Sequence, residues 1–149
     1  MSSHDSLSTR RLRTWLRLLR ITRGTERHLR EFLRVEHDTT LPRFDVMAAL
    51  HRQGTPMKMS ELSKKLLVSN GNATTVVDRL EKDGLARRAP SAEDKRVVRV
   101  SLTEQGLARF KELATANEAE VNALFAQLSH HDLDEIRDLL KRVEGARNA

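Results

Sequence analysis

The chain has 149 residues, 38% hydrophobic and 32% charged, and no cysteine. That is enough for one domain with a real core, or two intimately packed parts, and it excludes disulfides and thiol redox chemistry. Its 27 Lys and Arg against 21 Asp and Glu leave +6, which suits a polyanionic partner. With 3% aromatic residues and no tyrosine, a duplex fits better than a single strand held by base stacking.

The first predicted element is a long helix. Positions 12, 15, 19, 22, 26, 29 and 33 alternate steps of three and four, and all but Thr22 and Glu26 are apolar. Spanning residues 12–35, about 24 residues or ~36 Å, it is too long for one small domain to cover. Arginines 10, 11, 13, 17, 20, 23, 27, 30 and 34 ride on it, many of them simply solvated. The Ser- and Arg-rich start resembles a transit peptide, but the pattern runs unbroken into Leu29, Phe32 and Leu33, so it is read as folded helix. No run of about 18 apolar residues occurs, so no membrane span is expected and the cytoplasm is the default.

Thr40, Pro42 and Gly54 bracket a second helix. Phe44, Met47, Ala48 and His51 share one face, Val46, Ala49 and Leu50 the other, which predicts a buried bridge. Met59, Leu62, Leu66 and Val68 then space a shorter helix, and residues 67–69 form a tight corner. The next helix carries Ala73, Val76, Val77 and Leu80 on its inner face. Gly71, Thr75, Asp78 and Lys82 lie outside, flanked by Asn72, Thr74 and Arg79. Ser69 suits its N-cap, with first-turn amides free to meet a phosphate. The short polar side chains outside match base edges in a major groove.

Gly84 supplies a left-handed stop. Residues 85–88 and 96–102 read as two strands around a 90–94 turn, a two-stranded wing with cations Arg87, Arg88, Lys95, Arg96 and Arg99. Val98, Val100 and Leu102 are expected on one face of the second strand. A polar-faced helix followed by a basic hairpin supplies base-edge chemistry and phosphate or minor-groove charge together. The expected DNA contacts are Ser69, Asn70, Asn72, Thr74, Thr75, Arg79, Asp94, Lys95 and Arg96.

After Thr103, residues 107, 110, 114, 117, 121, 124 and 128 repeat the three-and-four stepping. Ser129 and Asp132 then look like a capping box for a last helix with Leu133, Ile136, Leu140 and Val143. The basic excess lies in 1–38 and 39–102, whereas 103–149 is acidic, so the terminal arms are expected to lie together within or between subunits. The fold class is mainly α with a small β-wing. A winged helix-turn-helix, 39–102, is inserted between helical dimerisation segments 1–38 and 103–149 as one interleaved domain. Terminal helices with uncovered apolar stripes point to a two-fold homodimer.

These residues also carry a family resemblance. Residues 94–103, DKRVVRVSLT, fit the D-x-R-x-x-x-x-x-L-T wing signature of the multiple-antibiotic-resistance regulator (MarR) family, and Asp78-Arg79-Leu80-Glu81 with Gly84-Leu85 resembles its recognition-helix ending. The resemblance implies a homodimeric transcription regulator, a repressor of a palindromic double-stranded operator, whose Arg96 enters the minor groove steered by Asp94. It also implies release by a small aromatic or phenolic effector. The family's pocket, where dimer helices meet the DNA module, would here recruit Trp15, Arg43, Phe44, Met47 and His51.

No G-x-S-x-G, H-E-x-x-H or phosphate-cradling glycine loop occurs, so no enzyme and no cofactor are expected. His130 and His131 lack the convergent Cys or carboxylate cluster of a metal site. The competing reading is a winged helix repurposed for protein interaction, whose duplex binding would be weak and blind to sequence.

Overall fold

The computed structural model describes residues 5–67 and 72–147. Helix α1, Leu7–His37, is longer than predicted because Ser6 caps it, its hydroxyl accepting the Thr9 amide at 3.1 Å. Asp38 ends it in the left-handed region (φ 49°), and the Thr39 amide returns to the Leu33 carbonyl at 3.2 Å. Only Leu29 and Leu33 of this helix are buried. Leu7, Leu12, Trp15, Leu16, Leu18 and Ile21 are exposed.

Helix α2, Leu41–Gln53, is the expected bridge. The Thr40 hydroxyl accepts the Arg43 amide at 3.2 Å, Pro42 fits the first turn, and Gly54 at φ 71° stops the helix. Leu41, Val46, Met47, Ala49 and Leu50 are buried where α2 meets the other elements of the core. Buried with them, at 5% exposure, is Asp45, whose Oδ2 accepts the Leu67 amide at 2.8 Å. The carboxylate thus ties the chain at Leu67 to α2.

The wing is a three-stranded sheet rather than a two-stranded ribbon. Strand β1, Met57–Lys58, pairs antiparallel with β3, Val98–Leu102, which pairs on its other side with β2, Ala86–Pro90. The registers are Met57↔Val100 and Arg88↔Val100. Met57 and Val100 are buried, so β1 closes the sheet over the core. Val98 is exposed instead of sharing the buried face, because it sits at the outer end of β3.

Helix α3, Met59–Lys65, stops before Leu66, which is already extended, and Val68 lies outside the described residues. Helix α4 runs Ala73–Lys82 and buries Ala73, Val77 and Leu80. Gly84, at φ 76°, turns the chain so that the Leu85 amide bonds back to the Leu80 carbonyl at 2.8 Å. Leu85 therefore ends the helix instead of starting the strand. At the far end, Arg96 and Val97 belong to the turn, since the Ser91 amide donates to the Val97 carbonyl at 2.7 Å and the Val97 amide to the Asp94 carbonyl at 3.0 Å.

Helix α5, Glu104–Leu124, leaves the sheet through a tight junction. The Thr103 amide donates to the Leu85 carbonyl at 3.1 Å, its hydroxyl to the Gly84 carbonyl at 2.6 Å, and the same hydroxyl accepts the Gly106 amide at 3.0 Å. Further along, the Arg109 guanidinium donates to the His37 carbonyl at the end of α1, and Phe110 and Leu113 are buried. The chain divides into two compact units between Asn117 and Glu118. In the second, helix α6, His130–Arg147, has the predicted capping box: the Ser129 amide donates to Asp132 Oδ2 at 2.9 Å, and the Asp132 amide to the Ser129 hydroxyl at 3.2 Å. No residue of α6 is buried, and Leu133, Ile136, Leu139, Leu140 and Val143 are exposed. Among the described residues, no helix is long and apolar enough to cross a membrane.

Candidate DNA-contact surface

The recognition helix begins later than predicted. Its N-cap is Asn72, whose Oδ1 accepts the Thr74 amide at 3.0 Å, so the cap assigned to Ser69 moves three residues on. The Asn72 side chain, directly before the first helical residue, satisfies one of the orphan amides of the first turn. Ser69, Asn70 and Gly71 lie outside the described residues. Thr74, Thr75, Asp78, Arg79 and Lys82 are all exposed, opposite the buried Ala73, Val77 and Leu80. The Arg79 side chain is tied to Asp83 at 3.1 Å, one turn on.

At the wing tip, Asp94 organises Arg96. Oδ1 accepts both the Arg96 amide at 3.0 Å and its Nε at 3.1 Å, and Oδ2 accepts Nη2 at 3.2 Å. This fork holds the Asp94 carboxyl below the usual aspartate range, through the Arg96 side chain first and its amide second. The Arg96 side chain is nevertheless 89% exposed, a cation held in one direction and open to solvent. The hairpin beneath is braced by the buried Ser91, whose hydroxyl accepts the Glu93 amide at 3.3 Å and Arg99 Nε at 3.4 Å.

The five expected wing cations divide. Lys95 is exposed next to Arg96 in the turn and Arg87 is exposed lower on β2, opposite Ser101, but Arg99 is half-buried on Ser91 and Arg88 turns inward onto α4. Arg88 Nη1 lies 2.7 Å from Asp78 Oδ1 and 3.2 Å from Glu81 Oε1, and its amide donates to Glu81 Oε2 at 2.8 Å. Sequence reasoning missed this role, although the spacing of Asp78 and Glu81 on one helix face was there to be read.

The five residues of the expected effector pocket are not brought together in one protomer. Phe44 stacks on Phe110 with ring centroids 5.8 Å apart, and the His51 ring lies 4.7 Å from the same phenyl group. Met47 is buried beside them on α2, and Arg43 is half-buried in the first turn. Trp15 is 55% exposed and sits 14 residues before Leu29, about 21 Å along the axis from where α1 enters the core. Phe110 was missed as a member of this cluster, though it stood in the α5 stripe. His51 also lines a cleft of about 440 Å³, together with Leu50, Thr55, Thr103, Leu107 and Lys111, among others.

Comparison with known proteins identifies the family. Residues 39–98 match the model of the MarR family. The transcriptional regulator PecS of Dickeya dadantii is 32% identical over 103 residues, covering 68% of this chain and 62% of PecS, so the match spans just under two thirds of that relative. The crystal structure of a cysteine-to-serine mutant of MarR from E. coli is 30% identical and aligns with 85% of this chain and 93% of that one, at a TM-score of 0.69. The chain belongs to the MarR family. A MarR-family regulator from Silicibacter pomeroyi superposes still better, at a TM-score of 0.81, with 29% identity over 96% of this chain and 99% of that one. The same E. coli mutant has also been solved in complex with operator DNA, and that form gives a TM-score of 0.76 at 27% identity, covering 93% and 99%. This MarR-family chain is accordingly a winged helix-turn-helix transcriptional regulator and not an enzyme.

Proposed function

We propose that this MarR-family regulator acts as a homodimeric repressor of a palindromic operator, with α4 in the major groove and the wing tip in the adjacent minor groove. The observation that carries the reading is the wing: an Arg96 chelated by Asp94 yet almost fully exposed, beside a helix whose outer face is entirely polar. Thr74, Thr75 and Arg79 read bases, Lys95 and Arg96 supply charge, and Asn72 contributes as a cap that presents the first turn of α4. Ser69 and Asn70, outside the described residues, are proposed as further contacts. That a relative of the same fold has been solved with operator DNA supports DNA binding by this chain.

Dimerisation through 1–38 and 103–149 is supported by the exposed apolar residues of α1 and by an α6 that buries nothing. A second copy covers these faces, and the same assembly allows Trp15 to reach a pocket built on its partner. Release follows when a small aromatic effector wedges beside the Phe44–Phe110 pair, near Arg43, Met47 and His51.

Selection of bound duplexes from random DNA tests the proposal, because recovery of a near-palindrome with half-sites about 10 bp apart reports function and dimer geometry together. Arg96→Ala should then lower affinity for that duplex by about 1–3 kcal/mol with the fold intact. Unselective recovery, or unchanged binding by Arg96→Ala at fixed salt, contradicts it.

A further inference from the structure

We infer that Arg88 is a positioning residue that fixes the wing against the recognition helix, acting on DNA only through the elements it joins. The inference rests on the DNA-contact reading above. Arg88 stands in β2 with its side chain only 23% exposed. Its guanidinium meets Asp78 at 2.7 Å and Glu81 at 3.2 Å, and Nη2 donates to the Thr74 carbonyl at 3.4 Å, while its amide donates to Glu81 at 2.8 Å. Residues 74, 78 and 81 follow the i, i+4, i+7 pattern of one helix face, so a single guanidinium gathers groups from residues set over about 10.5 Å of the α4 axis.

The fork matters because of where it lies. Helix α4 gives way to β2 through the left-handed turn at Gly84, and β2 leads directly into the turn that carries Arg96. A bridge from β2 back to three points on α4 sets the angle at which the hairpin leaves the helix. With two carboxylates against it, the Arg88 charge is already compensated within the protein and is not the free cation that a phosphate contact needs. A planar, multidentate guanidinium can make this bridge, whereas a lysine ammonium is a single point charge that cannot span it.

The test measures binding of wild type, Arg88→Gln, Arg88→Lys and Glu81→Ala to the selected operator and to a scrambled duplex across a salt series. Arg88→Gln should reduce the preference for operator over scrambled DNA about tenfold, with the slope of log affinity against log salt unchanged. Arg88→Lys should restore only a minor part. Glu81→Ala should also lose preference even though it makes the surface more positive, the opposite of a simple charge effect, and it probes the bridge independently should Arg88→Gln fail to fold. In the Arg88→Gln background, Arg96→Ala should cost less than in wild type, because the wing is no longer delivered to its groove.

A slope reduced by about one unit in Arg88→Gln would show direct phosphate contact and overturn the inference. So would preference left intact in both Arg88→Gln and Glu81→Ala. Wild-type protein that does not discriminate between the duplexes overturns the DNA-contact reading, and this inference with it, before any variant is compared.

Discussion

Gly106→Ala sets two physical effects of opposite sign against each other. Alanine is the better helix former, and in an open position of a helix the exchange stabilises by about 1 kcal/mol. A Cβ on Gly106, however, would lie 1.8 Å from the Leu85 carbonyl oxygen, 2.8 Å from its carbon and 3.2 Å from Leu85 Cα. These are backbone atoms, so relief requires the first turn of α5 to retreat on the order of 1.5 Å to reach ordinary contact distance. That movement breaks or strains the Thr103–Leu85, Thr103–Gly84 and Gly106–Thr103 hydrogen bonds. With overpacking at about 1–3 kcal/mol and roughly 1 kcal/mol for each bond lost, the clash outweighs the gain in helix propensity. The expected net loss is about 2–4 kcal/mol, or roughly 5–15 °C in melting temperature for a chain of this size. Thermal and urea unfolding at matched protomer concentration measures it, since dissociation of a dimer would otherwise enter the midpoint. Gly24→Ala is the control: nothing lies within 4 Å of its would-be Cβ, so it should stabilise by up to about 1 kcal/mol. A Gly106→Ala protein as stable as wild type would refute the packing argument.

Asp45→Ala should cost about 1–3 kcal/mol in urea unfolding by leaving the Leu67 amide without its acceptor, while Asp45→Asn, which keeps an acceptor oxygen, should cost less; equal losses would contradict the hydrogen-bond account. The Ser129 amide, followed by the Ser129 hydroxyl, holds the Asp132 carboxyl below its usual value. Its support for α6 is therefore complete above the ordinary aspartate range near pH 4 and is lost as pH falls through the lowered value. Helical circular dichroism followed from pH 5 downward should show an acid-side step that Asp132→Asn lacks, and an identical titration in both proteins would exclude the capping role. Deleting residues 133–149 should abolish dimerisation and operator binding together, checked by sedimentation and gel shift; a monomer that binds its operator at full affinity contradicts the proposed assembly.

Helix existence and the wing were legible in the sequence because each rests on local signals: the Thr40–Pro42–Gly54 bracket, the Ser129–Asp132 box and the Gly84 stop all stand where the spacing put them. What escaped was decided by partners distant in sequence. A two-residue strand at Met57–Lys58 is too short to show alternation, and it exists because β3 has a second side to pair. Arg88 read as a DNA-facing cation because nothing local reports that Asp78 and Glu81 lie within reach of it. The recognition-helix cap shifted from Ser69 to Asn72 because both are competent residues and only the fold chooses between them. The expected pocket drew Trp15 from a part of α1 that the protomer itself does not cover.

The carboxylate of Glu81 has a second consequence. Strand β2 is the outer strand of its sheet, and such a strand offers unpaired backbone groups onto which another chain can zip. Alternation turns the amides of 86, 88 and 90 outward; Arg88's is occupied by Glu81, and Pro90 has none to give. With two of those three amides withdrawn, the outer edge of this exposed hairpin is a poorer template for pairing edge to edge with another chain. The wing can stay long, exposed and basic without becoming a seam for self-association.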